Sequence, residues 1–495
     1  MHLQRIRVPD FRVLKDVDIT FEKDFVPRIF PLGSLNGGGK STLLQLIFTL
    51  LHCSTNPERK PFVQNLLNGF NIREDSPKRT LAMIDIWDNS KTVAIDFFCC
   101  KNGYIQEMLQ FDNNSSQFKG NVLFLAMQKL EEINQEIRKL QEFIDYLEYI
   151  DTQIIAYKEG NFFGQEIEQI EQFFKKLQSV DRKTSQTIEK HKLTREVTSI
   201  AESLNNRMKK QLEELLKEYS QIRQEIEPIS TKVAEYMKSN NWIFISEYRL
   251  NEEEINLLIC HVDGIDVAKS SETKMFLDSM AEKIFFAAPS TQLFLFMEQK
   301  SRNLLFKSKL VLNKDYYSKL KDARKRLINL FTYDFLAVDI LIQAFKDARD
   351  RDFREAIETG EYGNNYQRLK NELNQMLFNK KINIDKDFNG VNFTLDRNGE
   401  TIELSPEDLS HGELKRLSIY MWLKHHNIED AIVLMDEIEI AFHPDWQYQI
   451  ISDLQEWAPN NQYILATHSY ELCQALTPAH VKELEPKLIK QYPEN

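Results

Sequence analysis

The sequence predicts a mixed α/β domain built in two lobes and interrupted by an inserted antiparallel helical hairpin. Three observations carry this prediction. A glycine-rich stretch, "LGSLNGGGKSTLLQLIFTLL" over residues 32–51, lies between a strand pattern and a helix pattern. A second apolar strand pattern, near residue 432, ends abruptly in two carboxylates. Between these stretches, apolar residues recur at the alternating spacings of three and four that are typical of a coiled coil.

The composition is that of a globular protein in a reducing compartment. The chain has 495 residues, 42% of them hydrophobic and 28% charged, enough for a sizeable core. No apolar run reaches the ~20 residues of a membrane span, and the N-terminus lacks an apolar signal core, so we expect a cytoplasmic protein without a membrane partner. Five scattered cysteines disfavour structural zinc.

The net charge of −12 excludes a general attraction to nucleic acid. Any contact with DNA or RNA therefore depends on a local basic patch. The run "KLKDARKR" at residues 319–326 is the best candidate, but a solvated helix face explains it better.

Strand patterns surround the glycine-rich loop in the first predicted domain, residues 1–125. "VDITFE" alternates apolar and polar residues, and "VPRIF" leads into the loop. "STLLQLIFTLL" has the length and composition of a helix. "LAMIDIW" and "TVAIDFF", which flank "DNSK", predict a hairpin.

The second predicted domain, residues 126–239, has two heptad arms. The apolar positions of the first arm are Leu130, Ile133, Ile137, Leu140, Ile144 and Leu147. Those of the second arm are Leu204, Met208, Leu212, Leu215, Tyr219, Ile222, Ile226 and Ile229. A polar segment at about 157–195 separates them. We predict an antiparallel coiled-coil hairpin, with an ordinary helical bundle as the alternative; Pro228 marks a kink or the end of the second arm.

Two further parts follow, at residues 240–400 and 401–495. "NWIFISEYRL" predicts a strand, residues 270 to 380 a helical region, and "GVNFTLDRNGETIEL" a hairpin that turns at Asn398-Gly399. The last hundred residues contain the remaining chemistry.

The glycine-rich loop has the residues of a phosphate site. Backbone N–H groups of Asn36, Gly37, Gly38 and Gly39 can surround phosphate oxygens, because glycine leaves them uncovered. In this pattern Lys40 reaches the β- and γ-phosphates and Ser41 ligates Mg²⁺. Thr42 is expected to cap the helix, whose dipole favours the anion. The loop departs from the usual pattern at Ser34, where a glycine is expected.

Two apolar strand patterns end in candidate catalytic groups. "AIVLM" leads to Asp436 and Glu437, and two carboxylates at a strand end are costly unless they meet cations or water. Asp436 is predicted to hold Mg²⁺, and Glu437 to polarise an attacking water. "QYILA" leads to Thr467 and His468, and His468 is a candidate hydrogen-bond partner of the γ-phosphate.

The sequence "LSHGELKRLSI" precedes the acidic strand. Ser410, Gly412 and the start of the following helix form a second small turn that can bind an anion. Taken by itself, the turn is better explained as a helix start with Ser410 as its cap.

The four motifs occur in one order along the chain, and in this combination the sequence resembles the ABC-type P-loop ATPase heads. The branch that contains SMC proteins, RecF and the overcoming-lysogenisation ATPases is the most similar. The resemblance covers roughly residues 1–125 and 240–475. It implies that residues 34–42 are the Walker A loop and Leu409–Glu413 the signature. Asp436 then matches Walker B, Glu437 the catalytic glutamate and His468 the switch histidine.

The resemblance also implies ATP hydrolysis with Mg²⁺ in a head-to-tail homodimer or higher oligomer. Ser410 of one subunit would then contact the γ-phosphate held by another. Gln292 is one candidate for the glutamine that senses Mg²⁺, and Gln128 is its rival. Arg12 either approaches the nucleotide or forms a surface salt bridge. His443 stands where transporters of this class have an aspartate, which disfavours a transporter.

The biological role is predicted by analogy. A head with short arms, without a C-x-x-C apex or a nuclease domain after His468, resembles ATPases of anti-phage systems: the Septu-type PtuA, its retron-associated relatives and the PARIS ATPase. We expect a sensor or scaffold that controls a separate effector, a nuclease, with DNA or an RNA–DNA hybrid as a further candidate partner. The alternatives are a RecF- or SMC-like ATP-gated DNA-binding protein of DNA repair, and a regulatory binder that holds ATP with little hydrolysis.

Overall fold

The computed structural model describes most of the chain. The described residues are 1–104, 129–148, 193–297 and 322–484, except for 35–36, 74, 102–103, 131, 146–147, 250–254, 266–269, 291, 293–295, 334–337, 378 and 398–399. The chain divides into two compact units, one made of Met1–Tyr104 with Met237–Asn495 and the other of Ile105–Tyr236. The finer division into four parts stays a prediction.

Apart from the helix Leu193–Ser239, most of which belongs to the smaller unit, the strands and helices named below belong to the larger unit. Its strands, numbered along the chain, are β1 (His2–Phe11), β2 (Leu14–Thr20), β3 (Ile29–Gly33), β4 (Lys78–Trp87), β5 (Thr92–Lys101), β6 (Trp242–Arg249), β7 (Ile255–Asp263), β8 (Ile284–Ala288), β9 (Leu330–Thr332), β10 (Lys380–Ile384), β11 (Val391–Arg397), β12 (Glu400–Leu404), β13 (Ile432–Asp436), β14 (Gln462–Ala466) and β15 (Lys482–Glu483). The helices are α1 (Lys40–Cys53), α2 (Lys60–Leu67), α3 (Leu193–Ser239), α4 (Ser270–Glu282), α5 (Val338–Thr359), α6 (Asn365–Gln375), α7 (His411–His425), α8 (Pro444–Trp457) and α9 (Tyr470–Gln474).

A parallel sheet is the centre of the larger unit. Its strand order is β15-β3-β14-β13-β8-β9, and every neighbouring pair runs parallel. An antiparallel sheet of order β2-β1-β4-β5-β7-β6 and a smaller one of order β10-β11-β12 accompany it. The predicted α/β fold class is therefore confirmed.

The parallel sheet separates two hydrophobic cores because successive side chains of a strand point to opposite faces. In β13, Ile432 and Leu434 belong to the core that contains α1, whereas Val433 and Met435 belong to the core that contains α7 and α8. Both faces are covered, so the strand is apolar throughout. This explains why "AIVLM" shows no alternation.

Most predicted elements near the loop are confirmed. Val17 and Ile19 are buried in β2 while Asp18 is exposed, and β4 and β5 form the predicted hairpin. β11 and β12 pair with Arg397 opposite Glu400; the turn residues 398–399 lie outside the described residues. The predicted helical region 270–380 is wrong at two places, since it contains β8 and β9. Short buried apolar runs of this length do not distinguish strand from helix by periodicity.

The smaller unit contains the paired arms. Residues 132–145 are helical, and Ile133 and Ile144 of the predicted seam are buried. Lys129 pairs with Glu218 at 2.6 Å and Glu148 with Lys209 at 2.7 Å. Residue numbers increase along the first arm while those of its partners in α3 decrease, so the two arms are antiparallel.

The second arm is longer than predicted. α3 runs through Pro228 to Ser239, so the helix does not end at the proline. Residues 157–192 of the predicted linker lie outside the described residues, and its last residues, from Leu193 onward, belong to α3. Within the described residues, no helix is long and apolar enough to cross a membrane.

Candidate functional site

Three parallel strands end at the same edge of the central sheet. β3 leads into the glycine-rich loop, β13 ends at Asp436, and β14 leads into His468. Because the carboxyl ends of parallel strands meet at one edge, this is where such sheets bind ligands. The edge therefore brings together groups that are about 400 residues apart in sequence.

Lys40 is the centre of a hydrogen-bond cluster. Its ammonium group donates to the backbone oxygen of Ser34 at 3.2 Å and to the Ser34 hydroxyl at 3.1 Å. It also lies 3.0 Å from Nε2 of His468. A lysine ammonium has only donors, so a hydrogen bond at this distance requires Nε2 of His468 to be the acceptor. Burial lowers the pKa of Lys40, and the carboxylates of Glu439, Asp436 and Glu437 oppose that shift.

Ser34 is compatible with the loop because its position does not require glycine. The positive φ angles of the described loop residues are at Gly37 (81°) and Gly39 (90°). A Cβ atom on Gly39 would lie 2.6 Å from the Leu14 side chain, so glycine is needed there for space as well. Asn36 lies outside the described residues.

The beginning of α1 corrects one prediction. The helix begins at Lys40 with Gly39 as its N-cap, and no side chain caps it. Thr42 is already inside the first turn, so it is not the cap. The left-handed Gly39 is therefore the N-cap, three positions before the predicted Thr42.

Asp436 has the properties of a cation ligand. Ser41 donates its hydroxyl hydrogen to Oδ1 of Asp436 at 3.0 Å. Oδ2 is buried and has no hydrogen-bond partner among the described residues. Burial raises the pKa of Asp436 to about 7, and the nearby Glu437 and Glu439 add to the shift. A hydroxyl and a carboxylate with an unused buried oxygen fit Mg²⁺, which prefers oxygen ligands.

The turn after β13 contains two acidic side chains. Glu437 is partly exposed, adopts a positive φ of 52°, and donates its backbone N–H to the Ala466 oxygen at 2.9 Å. Glu439 is buried and accepts the backbone N–H of His468 at 2.7 Å. Sequence reasoning missed Glu439; the signal was its place two residues beyond Glu437, on the same turn.

The signature residues begin α7. The Ser410 side chain accepts the backbone N–H of Glu413, and the Glu413 carboxylate accepts both the N–H and the hydroxyl of Ser410. Lys380 pairs with the buried Glu413 at 2.6 Å. The predicted cap is therefore present, and Ser410 is exposed. Its role toward nucleotide stays a prediction.

The remaining candidates are only partly connected to the cluster. Gln292 follows the carboxyl end of β8 and donates its backbone N–H to Pro289. Arg12 lies in the β1–β2 turn, next to Val13 and Leu14, whose side chains a Cβ atom on Gly39 would meet. The Arg12 side chain itself donates to the Leu66 oxygen at 2.9 Å. Gln128 lies outside the described residues, as do Lys319 and Lys321 of the basic run.

The comparison with protein families agrees with the site. Residues 264–474 match the family described as "AAA domain, putative AbiEii toxin, Type IV TA system". The match includes β8, the signature helix α7 and the strands that lead to Asp436 and His468. Over these residues the chain resembles an AAA domain.

Two curated relatives come from retrons. The chain is 31% identical over 103 residues to "Retron Vc95 probable ATPase" of Vibrio cholerae serotype O1 biovar El Tor, covering 19% of this chain and 20% of that protein. It is 44% identical over 46 residues to "Retron Ec83 probable ATPase" of Escherichia coli, covering 9% of this chain and 8% of that protein. The chain thus spans a fifth or less of the length of these relatives.

Two solved structures of Smc head domains align along most of the chain. One, from Pyrococcus furiosus, has an extended coiled coil and is bound to the C-terminal domain of ScpA; it has a TM-score of 0.29 at 10% identity and covers 96% of this chain and 91% of its own. The other, from Pyrococcus yayanosii, has a coiled coil and joint; the TM-score is 0.30 at 12% identity, with 96% and 93% covered. Scores below 0.5 do not establish a common fold, so the fold assignment depends on the strand order above.

Proposed function

We propose that this protein binds Mg²⁺–ATP at the edge of its parallel sheet and hydrolyses it to ADP and phosphate. The observation that carries the proposal is the convergence of Lys40, Ser41, Asp436 and His468 at the ends of three neighbouring strands. The family match over residues 264–474 supports it.

Each residue has a distinct part in the proposed reaction. Lys40 binds the β- and γ-phosphates after exchanging at least one of its present acceptors for a phosphate oxygen. Ser41 and Asp436 hold Mg²⁺, which neutralises phosphate charge when bound. Glu437, at the exposed start of the acidic turn, orients water and accepts its proton as the γ-phosphorus–oxygen bond to ADP breaks. His468 positions the γ-phosphate beside Lys40.

The site is proposed to be completed by a second copy of the chain. Ser410 is exposed at the N-terminus of α7, where the helix dipole favours an anion. In a head-to-tail pair, Ser410 of one subunit contacts the γ-phosphate in its partner's site. ATP then closes the pair, and hydrolysis opens it.

The first test compares two variants that should fail at different steps. Lys40→Ala is expected to lose nucleotide binding, because its ammonium is the cation of the loop. Glu437→Gln is expected to bind ATP with unchanged affinity, to lose turnover and to accumulate as a dimer. Equilibrium binding, phosphate release and sedimentation velocity measure the three properties. Wild-type turnover in Glu437→Gln would remove Glu437 from its proposed role.

The second test concerns the shared site. Ser410→Arg is expected to bind ATP as a monomer and to prevent ATP-driven dimerisation, because the arginine occupies the space for the partner's phosphate. Glu407→Arg, an exposed change three residues earlier, is the matched control and should dimerise normally. Normal dimerisation of Ser410→Arg would contradict the shared site.

In the cell, we propose that the ATPase is a sensor or scaffold that controls a separate effector, a nuclease, in anti-phage defence. The similarity to two retron ATPases supports this role. Tagged Glu437→Gln and Lys40→Ala, purified from the native host, should both retain the effector if it binds the scaffold itself. Recovery of DNA alone, only with Glu437→Gln, would instead indicate an ATP-gated DNA-binding protein of repair.

A further inference from the structure

The signature helix contacts the acidic turn through one face. A Cβ atom on Gly412 would lie 2.8 Å from the backbone oxygen of Ala441, so α7 approaches the turn 437–441 very closely. Lys415, three residues further along α7, belongs to the same face. This face therefore joins the helix that begins at Ser410 to the turn that begins at Glu437.

Lys415 is a buried lysine that donates to backbone oxygens of this turn. Its Nζ lies 3.0 Å from the oxygen of Glu437 and 3.0 Å from that of Ile440. The ammonium is also 4.0 Å from the ring centroid of Tyr333, and only 4% of the residue is exposed. A charge in such a place is costly unless it is well solvated by protein groups. Its hydrogen bonds are therefore strong constraints on the turn.

The turn needs such a constraint because its backbone is strained. Glu437 has a φ of 52° and Ala441 a φ of 71°, which are unfavourable for residues other than glycine. The N–H of Glu437 is fixed by Ala466 at the end of β14. Its carbonyl accepts a hydrogen bond from Lys415 at 3.0 Å and a longer one, at 3.3 Å, from the N–H of Ile440 within the turn. The peptide plane on each side of Glu437 is thus set by a different element, the sheet on one side and α7 on the other.

We propose that Lys415 is a positioning residue through which the signature helix sets the orientation of Glu437 for hydrolysis. The proposal rests on the function proposed above, in which Glu437 orients the attacking water. Lys415 touches neither substrate nor metal; it holds the backbone from which the Glu437 carboxylate extends. A displacement of α7, as when Ser410 engages a partner's phosphate, is then transmitted to the chain's own Glu437.

The test separates the chemical step from binding. Lys415→Met keeps the buried stem and removes the donor. Misplacement of a catalytic group by about 1 Å costs roughly 100-fold in rate. We therefore expect kcat and the single-turnover rate to fall by tenfold to 100-fold, with ATP affinity within about twofold of wild type. Lys415→Arg, which retains donors, should recover most of the rate.

Arg416→Met is the matched control on the same helix. Arg416 forms a largely buried ion pair with Asp453 of α8 at 2.7 Å, so its charge is held by α8. The Arg416→Met variant should have a lower thermal stability than the wild type and an unchanged kcat. If Lys415→Met does not fold, Lys415→Gln replaces it, since its amide keeps two N–H donors and should give a smaller loss of kcat.

The outcomes distinguish the two proposals. Wild-type kcat in a folded Lys415→Met or Lys415→Gln, while Glu437→Gln is inactive, would overturn the positioning role and leave the ATPase proposal standing. An equal loss of kcat in Arg416→Met would indicate that Lys415 has only a structural role. That result would also overturn the positioning role. If the wild type does not hydrolyse ATP, or Glu437→Gln hydrolyses it normally, the proposed function itself fails.

Discussion

Replacing Ser34 by alanine should tighten ATP binding. The ammonium group of Lys40 has three donors, and three acceptors lie within 3.2 Å of it: the Ser34 backbone oxygen, the Ser34 hydroxyl and Nε2 of His468. A phosphate oxygen must displace at least one of them. Ser34→Ala removes the hydroxyl and leaves the backbone unchanged, so one donor is available before the nucleotide arrives.

The magnitude follows from the charge and burial of Lys40, of which only 6% is exposed. A hydrogen bond to a charged group contributes about 1.5–3 kcal/mol net. Ser34 is partly exposed, so the lower end of this range applies. In the nucleotide-free Ser34→Ala protein, water can hydrogen-bond to Lys40 and replace part of the lost interaction. With about 1.4 kcal/mol per tenfold in affinity, the dissociation constant of Mg²⁺–ATP should fall roughly threefold to tenfold.

The assay is a titration with fluorescently labelled ATP in the Glu437→Gln background, which keeps turnover from distorting the equilibrium. Ser54→Ala, just after α1, is the control; its hydroxyl is buried without a hydrogen-bond partner among the described residues, and affinity should not change. A tenfold higher dissociation constant for Ser34→Ala, that is, weaker binding, would mean that the hydroxyl contacts the nucleotide. That result would refute the reasoning.

Three further changes test the surroundings of the site. Gly39→Ala should lower nucleotide affinity more than tenfold, because the position combines a φ of 90° with a Cβ clash at 2.6 Å; a thermal shift with Mg²⁺–ATP measures it. Burial lowers the pKa of His52 in the folded state to about 4. Below pH 6.5 the unfolded state therefore binds a proton on His52 that the folded state does not bind. Stability should fall by about 1.4 kcal/mol between pH 7.5 and 5.5 in urea unfolding, and His52→Gln should lose that share of the pH dependence. Lys380→Met should destabilise the fold by roughly 3 kcal/mol, since the Glu413 carboxylate stays buried without its cation; the neighbouring Lys381→Met, which breaks an exposed pair, should be nearly neutral.

The sequence alone identified the groups of the candidate site and the type of most elements around it. Lys40, Ser41, Asp436 and His468 were recognisable because each directly follows a loop or strand whose apolar pattern is strong. The heptad spacing also identified the two arms. The strands β8 and β9 were not recognisable, because a short run of buried apolar residues has no periodicity that separates strand from helix.

Only the tertiary structure decided how these groups act together. That Lys40 contacts His468, and Ser41 contacts Asp436, depends on β3 lying beside β14 and β14 beside β13. Strand order is set by packing between residues hundreds of positions apart, which local patterns do not encode. For the same reason the buried Glu439 and Lys415 were missed. Their roles depend on the direction of a strained turn and on the helix packed against it, and both arise from long-range contacts.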